Sequence, residues 1–203
     1  MGYATIRASR ISYVGELGWE LLIPSDMAAH VYETLVEAGK DLELTNVGMH
    51  AMNSLRIEKA YRHWGHDIAD EDTPIEAGLE FAVRFDKPGG FIGRDALLKQ
   101  KYSGLVAKRM VQFLMEDPEV MLYHNEPIIR DGTICGYITS AMYGHTLGAS
   151  VGMGYLNNPL ERGGVDAEFV KSGSYEIEVA CKRYPAQASL EPLYDPNNER
   201  IRM

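Results

Sequence analysis

An α+β fold is expected for this 203-residue sequence, and three observations lead to it. Short β-type runs and helically spaced apolar residues alternate through the first half. From Leu105 onward the pattern changes to short strands separated by glycine, proline and acidic turns. Ser103 and Gly104 lie between the two patterns and divide the chain into a mixed region over 1–102 and a β-rich region over 103–203.

Thr5 to Tyr13 reads as a strand entering a turn. Val14 to Gly18 supplies two glycines, and Trp19 to Ile23 is a second strand that Pro24 ends. Ser25 or Asp26 then caps a helix in which Met27, Val31, Leu35 and Val36 recur at helical spacing until Gly39. A second helix opens at Asn46, its expected cap, and carries Met49, Met52, Leu55 and Ile57. Glu58 and Arg62 have the spacing of an i,i+4 ion pair, and Gly65 is the expected stop. Phe81, Val83 and Phe85 alternate with Ala82 and Arg84 as in a half-buried strand. Asp95 is a cap for a short helix over Ala96 to Lys101. Six strands are expected beyond: Lys108–Leu114, Glu126–Ile129, Ile134–Ser140, Ser150–Leu156, Ala167–Val170 and Tyr175–Ala180. They suit a compact barrel or a sandwich. Arg130-Asp131-Gly132-Thr133 is a hairpin turn, and Gly144 to Gly148 a more open connection. The last stretch, from Lys182, shows no clear period and is expected to cross or fasten to another surface.

Composition narrows the function classes. The 45% hydrophobic content supports a substantial core. With 29 acidic against 20 basic residues the net charge is −9, and no basic stripe argues for nucleic acid. No stretch has the apolar length of a membrane span, and the first residues do not form a signal sequence. Cys135 and Cys181 lack zinc-site spacing and are too few for a disulfide scaffold, so both are expected reduced and buried in a cytoplasmic protein.

Asn46 to Asp67 couples a helix to a turn crowded with Tyr61, His63, Trp64, His66 and Asp67. His63, His66 and Asp67 form too short a set for a metal site, and no metal ligands are assigned. No serine, histidine and acid order defines a hydrolase, and neither Gly15-Glu16-Leu17-Gly18 nor Gly152-Met153-Gly154 has the context of a nucleotide fold. No catalytic residue is assigned. Tyr13 and Glu20 bracket the glycine turn, where the carboxylate has the chemistry to accept two N–H donors from a fused heterocycle and the tyrosine to stack on it.

Five segments taken together resemble the glycine-cleavage aminomethyltransferase family: Tyr13 to Glu20, Asn53 to Lys59, the Tyr61 to Asp67 turn, Thr73 to Leu79 and Phe91 to Arg94. With Tyr143 to Gly148 and Val151 to Tyr155 added, the likeness is closer to the folate-binding C-terminal portions of dimethylglycine and sarcosine dehydrogenases or oxidases.

The resemblance implies a partial aminomethyltransferase-type folate-binding domain followed by a small antiparallel β-barrel. It also implies one-carbon transfer from an aminomethyl or iminium group to tetrahydrofolate. Carried over by position, Tyr13 contacts the pterin region, Glu20 bonds its ring nitrogens, and Tyr61 forms cavity wall. Met52 stands where the glycine-cleavage branch commonly has arginine, which favours the dehydrogenase-linked branch. The family's activating aspartate belongs to a preceding segment, and any FAD to a preceding flavin domain, so both are expected as partners outside this sequence. Asp67 and Asp70 are not promoted in the aspartate's place. A fragment of a larger enzyme is therefore expected, keeping part of the binding wall and losing chemistry. The alternatives are a non-enzymatic folate-binding or iron-sulfur-assembly-related member and a structural or interaction module.

Overall fold

In a computed structural model describing residues 1–203, the β-type runs near the start pair as a short antiparallel ribbon. Its strands are β1 (Arg7–Ser9) and β2 (Glu20–Leu22), with Ser9 opposite Glu20 and Arg7 opposite Leu22. A 3-10 turn at Ser25–Met27 leads into α1 (Ala28–Gly39), the helix read from the apolar spacing. α2 follows at Met49–Glu58 and α3 at Arg94–Ser103.

The second half is a closed barrel in the order β3-β6-β5-β4-β7-β8. Its strands are β3 (Lys108–Met115), β4 (Pro127–Arg130), β5 (Thr133–Gly144), β6 (Ala149–Asn157), β7 (Tyr175–Val179) and β8 (Lys182–Ser189). All neighbouring pairs are antiparallel. Closure leaves no free sheet edge, and successive side chains divide between the lumen and the outer face. On β3, Val111, Phe113 and Met115 join Ile128, Ile138, Leu156 and Ile177 in the main core. Met110, one residue out of phase, joins Ile57 and Ala60 in a smaller cluster between α2 and the barrel wall. Gln112, on the same outer face, donates to the carbonyls of Ile57 and Glu58 at 2.7 and 3.0 Å and so ties the barrel to the end of α2.

Several local expectations give way to tertiary contacts. Asn46 does not cap α2; Gly48 holds that position, while Asn46 Nδ2 donates to Tyr32 Oη at 2.8 Å. α2 ends at Glu58 rather than near Gly65, because Ala60 takes a positive φ of 55°. The Glu58–Arg62 pair does not form. Glu58 Oε1 accepts the amides of Thr146 and Leu147 at 2.8 and 2.9 Å, and Arg62 Nε donates to the Ala77 carbonyl at 3.0 Å. Phe81 to Phe85 is not a strand. Residues Glu80–Ala82 form a 3-10 turn and Phe81 is 87% exposed, so alternation there reflects no sheet. Asp95 lies in the first turn of α3, with Gly93 rather than Asp95 at its cap.

In the barrel half, Ala167–Ser172 is helix α4, not a strand: Asp166 Oδ1 caps the Phe169 amide at 2.7 Å. Lys182–Ser189, read as part of an aperiodic tail, is the closing strand β8, whose Pro185 obscured its pattern. The remaining tail does fasten elsewhere. The turn at Asp131 and Gly132 has φ values of 50° and 79°, the left-handed pair that a two-residue hairpin requires. Gly152 and Gly154 lie inside β6, so their spacing forms no phosphate-binding turn. Both cysteines are free, but Cys135 is half-buried and Cys181 exposed at the β7–β8 turn, against the expectation that both are buried.

Candidate functional site

α2 is the wall on which the two halves meet, and its buried charges fix their relation. Arg56 and Asp67 side chains are 1% and 0% exposed, with Nη1 to Oδ2 at 2.5 Å. Each guanidinium nitrogen and each carboxylate oxygen of the pair is engaged. Arg56 Nε donates to Asn53 Oδ1 at 2.9 Å, Nη1 also to the Tyr61 carbonyl at 3.1 Å, and Nη2 to Ser140 Oγ at 2.9 Å. Asp67 accepts Thr139 Oγ1 at 2.6 Å and the His63 amide at 2.8 Å. Burial of two ions is tolerated only when paired and hydrogen-bonded in this way.

Thr139 and Ser140 are adjacent in the chain yet both reach this outer pair. The β5–β6 register shifts between Ile138 and Ser140, a bulge that brings two consecutive side chains to one face while Ile138 and Ala141 stay in the core. A regular strand would have turned one of them inward. Sequence reading missed the bulge; the polar pair Thr139-Ser140 within an apolar strand was its available signal.

Tyr13 and Tyr61, carried over separately from the resemblance, lie side by side in the structure. Their rings are nearly parallel, 11° apart, with centroids 6.2 Å apart. Tyr13 Oη donates to the Arg62 carbonyl at 3.1 Å, which anchors the phenol and leaves the ring for contact. Burial raises the Tyr13 pKa, with Arg56 opposing and Asp67 assisting. Burial also raises that of Tyr61, helped by Asp195. Both phenols therefore stay protonated at neutral pH. Glu20 opens β2, is exposed, and its carboxylate has no partner within the protein.

The glycine turn between Tyr13 and Glu20 is held by the tail. Gly15 has φ 78°, and a Cβ there would lie 3.1 to 3.2 Å from the Lys59 stem. Lys59 Nζ is 2.9 Å from Asp195 Oδ2, and Tyr194 Oη donates to Glu16 Oε1. Desolvation works to raise the Asp195 pKa, but the Lys59 ammonium and the amides of Glu199 and Arg200 outweigh it and hold the carboxyl below its usual range. The sequence reading gave the tail no such contacts.

His63 and His66 are exposed and meet edge to face at 5.9 Å. Asp67 is committed to Arg56 and does not join them. Met52 is half-buried on α2 and brings no charge there.

Known proteins match this chain in both halves. The GCVT N-terminal domain matches residues 1–87, and the glycine cleavage T-protein C-terminal barrel domain matches residues 108–195. A 4-methylaminobutanoate oxidase (formaldehyde-forming) of Paenarthrobacter nicotinovorans is 45% identical over 99% of this chain and 23% of its own length. Human mitochondrial sarcosine dehydrogenase is 43% identical over 97% of this chain and 21% of its own. The mitochondrial pyruvate dehydrogenase phosphatase regulatory subunit of Mus musculus is 40% identical over 95% of this chain and 23% of its own. The crystal structure of glycine cleavage system aminomethyltransferase T from Bartonella henselae superposes with a TM-score of 0.76 at 25% identity, over 93% of this chain and 50% of that one. The chain thus spans between a fifth and a quarter of the length of these curated relatives.

Proposed function

Because the chain belongs to the glycine cleavage T-protein (aminomethyltransferase) family, we propose that it supplies a tetrahydrofolate-facing wall of a one-carbon transfer unit, in a dehydrogenase-linked member of that family. The observation that carries this is the near-parallel Tyr13–Tyr61 pair, joined through one short turn to a strand that presents the unpartnered Glu20 carboxylate.

The chemistry of these groups fits a reduced pterin. Glu20 is an acceptor with no competing donor in the protein, suited to two ring N–H groups, and the tyrosines offer flat, neutral faces. Tetrahydrofolate supplies the amine nitrogens that take up the one-carbon unit. The chain's own residues bind and orient. Proton transfer is assigned to none of them: Asp67, a buried carboxylate, is saturated by Arg56, Thr139 and the His63 amide. In this proposal the open side of the wall is covered by other polypeptide, which the exposed Trp19, Leu42, Leu44 and Val47 support. Flavin chemistry, if coupled to this unit, belongs to that other polypeptide. The glycine clusters here do not fit a dinucleotide, since one is a turn held by Lys59 and the other a barrel strand. The two free thiols fit the proposed reducing, cytoplasmic-type compartment.

Titration with tetrahydrofolate under anaerobic conditions tests the assignment. Glu20→Gln is expected to weaken binding about tenfold or more, the worth of a charge-assisted hydrogen bond. Equal affinities would remove Glu20 from the site. The regulatory-subunit relative favours a second reading, a non-enzymatic folate-binding or interaction module. An absence of saturable tetrahydrofolate binding would favour the interaction module.

A further inference from the structure

We propose that the cavity between α2, the loop at 121–124 and β5 binds a carboxylate carried on a flat, apolar body. The cavity has a volume of about 340 Å³, and its lining includes neither Tyr13, Glu20 nor Tyr61, so it stands independently of the folate assignment.

Its wall is rich in donors and poor in acceptors, and Arg56 makes it so. A guanidinium only donates. Asn53 accepts from Arg56 Nε at 2.9 Å, which pins its amide oxygen toward the guanidinium and turns its NH₂ away; Nδ2 makes no hydrogen bond within the protein. Ser140, 3% exposed, accepts from Arg56 Nη2 at 2.9 Å, and its own hydroxyl hydrogen has no protein acceptor. One buried donor-only group thus leaves two neutral side chains with donors to spare, and both line the cavity.

The rim adds imidazoles. His66 and His124 meet edge to face at 6.0 Å, and His50 and His145 also contribute. Asn125 Nδ2 stands 2.8 Å from His124 Nδ1, occupying that nitrogen and leaving Nε2 free. No aspartate or glutamate lines the cavity, although the chain carries a net charge of −9. Asp67, which neutralises Arg56 from behind, is sealed by its own donors. Tyr123, Tyr143, Leu122 and Met142 provide rings and apolar surface for the ligand body.

Sodium benzoate is a suitable probe, with benzamide as its uncharged counterpart of the same shape. Titrating the full 203-residue chain and following side-chain amide and imidazole NMR signals should show saturable shifts at Asn53, His66 and His124 with benzoate and at least tenfold weaker binding of benzamide. Asn53→Asp keeps the acceptor toward Arg56 Nε and replaces the cavity-facing NH₂ by an oxygen, so the fold should persist while benzoate affinity falls at least tenfold. His124→Phe, at an exposed position, preserves the ring and should weaken benzoate several-fold. No saturable shift in the unmodified chain, equal affinity for the two probes, or unchanged benzoate affinity in both variants would overturn the assignment.

Discussion

Arg56 and Asp67 form a fully buried ion pair 2.5 Å apart in which each partner also bonds a side chain of the barrel, Ser140 for the arginine and Thr139 for the aspartate. The pair is the joint between the two halves of the chain. Asp67→Asn leaves Arg56 charged and uncompensated, and a loss of about 3–5 kcal/mol is expected in urea unfolding. Replacing both, as Arg56→Met with Asp67→Leu, should cost less than the sum of the single changes, because neither leaves a buried charge behind. Additive losses would show that the two side chains act separately.

Gly136 marks a second close approach. A Cβ at this position would lie 1.8 Å from the Tyr155 carbonyl oxygen, within the β5–β6 ladder. Backbone cannot step aside as a flexible side chain can. Gly136→Ala is expected to destabilise the barrel by about 3 kcal/mol or more, read as a lowered unfolding midpoint, whereas Gly132→Ala adds a Cβ in open space and is penalised only by its φ of 79°.

The tail latch should open in acid. Asp195 has a folded pKa below its unfolded value, so its stabilising contribution is complete above the unfolded pKa of about 3.9 and is lost as pH falls through the folded value. Relative to intrinsic exchange, the protection of the Glu199 and Arg200 amides, whose N–H groups donate to Asp195 at 2.8 and 3.3 Å, should fall over that window. Asp195→Asn should show lower protection of these amides already at neutral pH and little change in that protection with acid.

The two thiols should differ in reactivity. Burial pushes the Cys135 thiol up to about 11, against the opposing pull of Arg130, whereas Cys181 is exposed on a turn. At pH 8 a disulfide reagent should label Cys181 rapidly and Cys135 slowly. In Cys181→Ser the fast phase should vanish, and unfolding should release the remaining thiol.

Periodicity and turn chemistry, which act over a few residues, made much of the fold legible. The spacing of Val31, Leu35 and Val36 located α1, and Asp131-Gly132 located a hairpin; five of the six expected strand segments lie in the barrel. The same local signals failed where distant contacts competed. Phe81 and Val83 alternate without a neighbouring strand to pair with, and Pro185 masks the strand that closes the barrel. Phe169 and Val170 are β-type residues, yet the Asp166 cap holds them in α4.

For the candidate site, the sequence by itself determined which residue types are present: the Tyr13 to Glu20 turn and Tyr61. Only the tertiary structure decided how those groups are engaged. Glu58 looked like the partner of Arg62, yet it secures a loop 88 residues away. Asp67, adjacent in sequence to His66, is spent on Arg56. The physical reason is that local pattern sets which face a side chain occupies. Barrel closure, the bulge before Ser140 and desolvation at α2 set which partner it meets there.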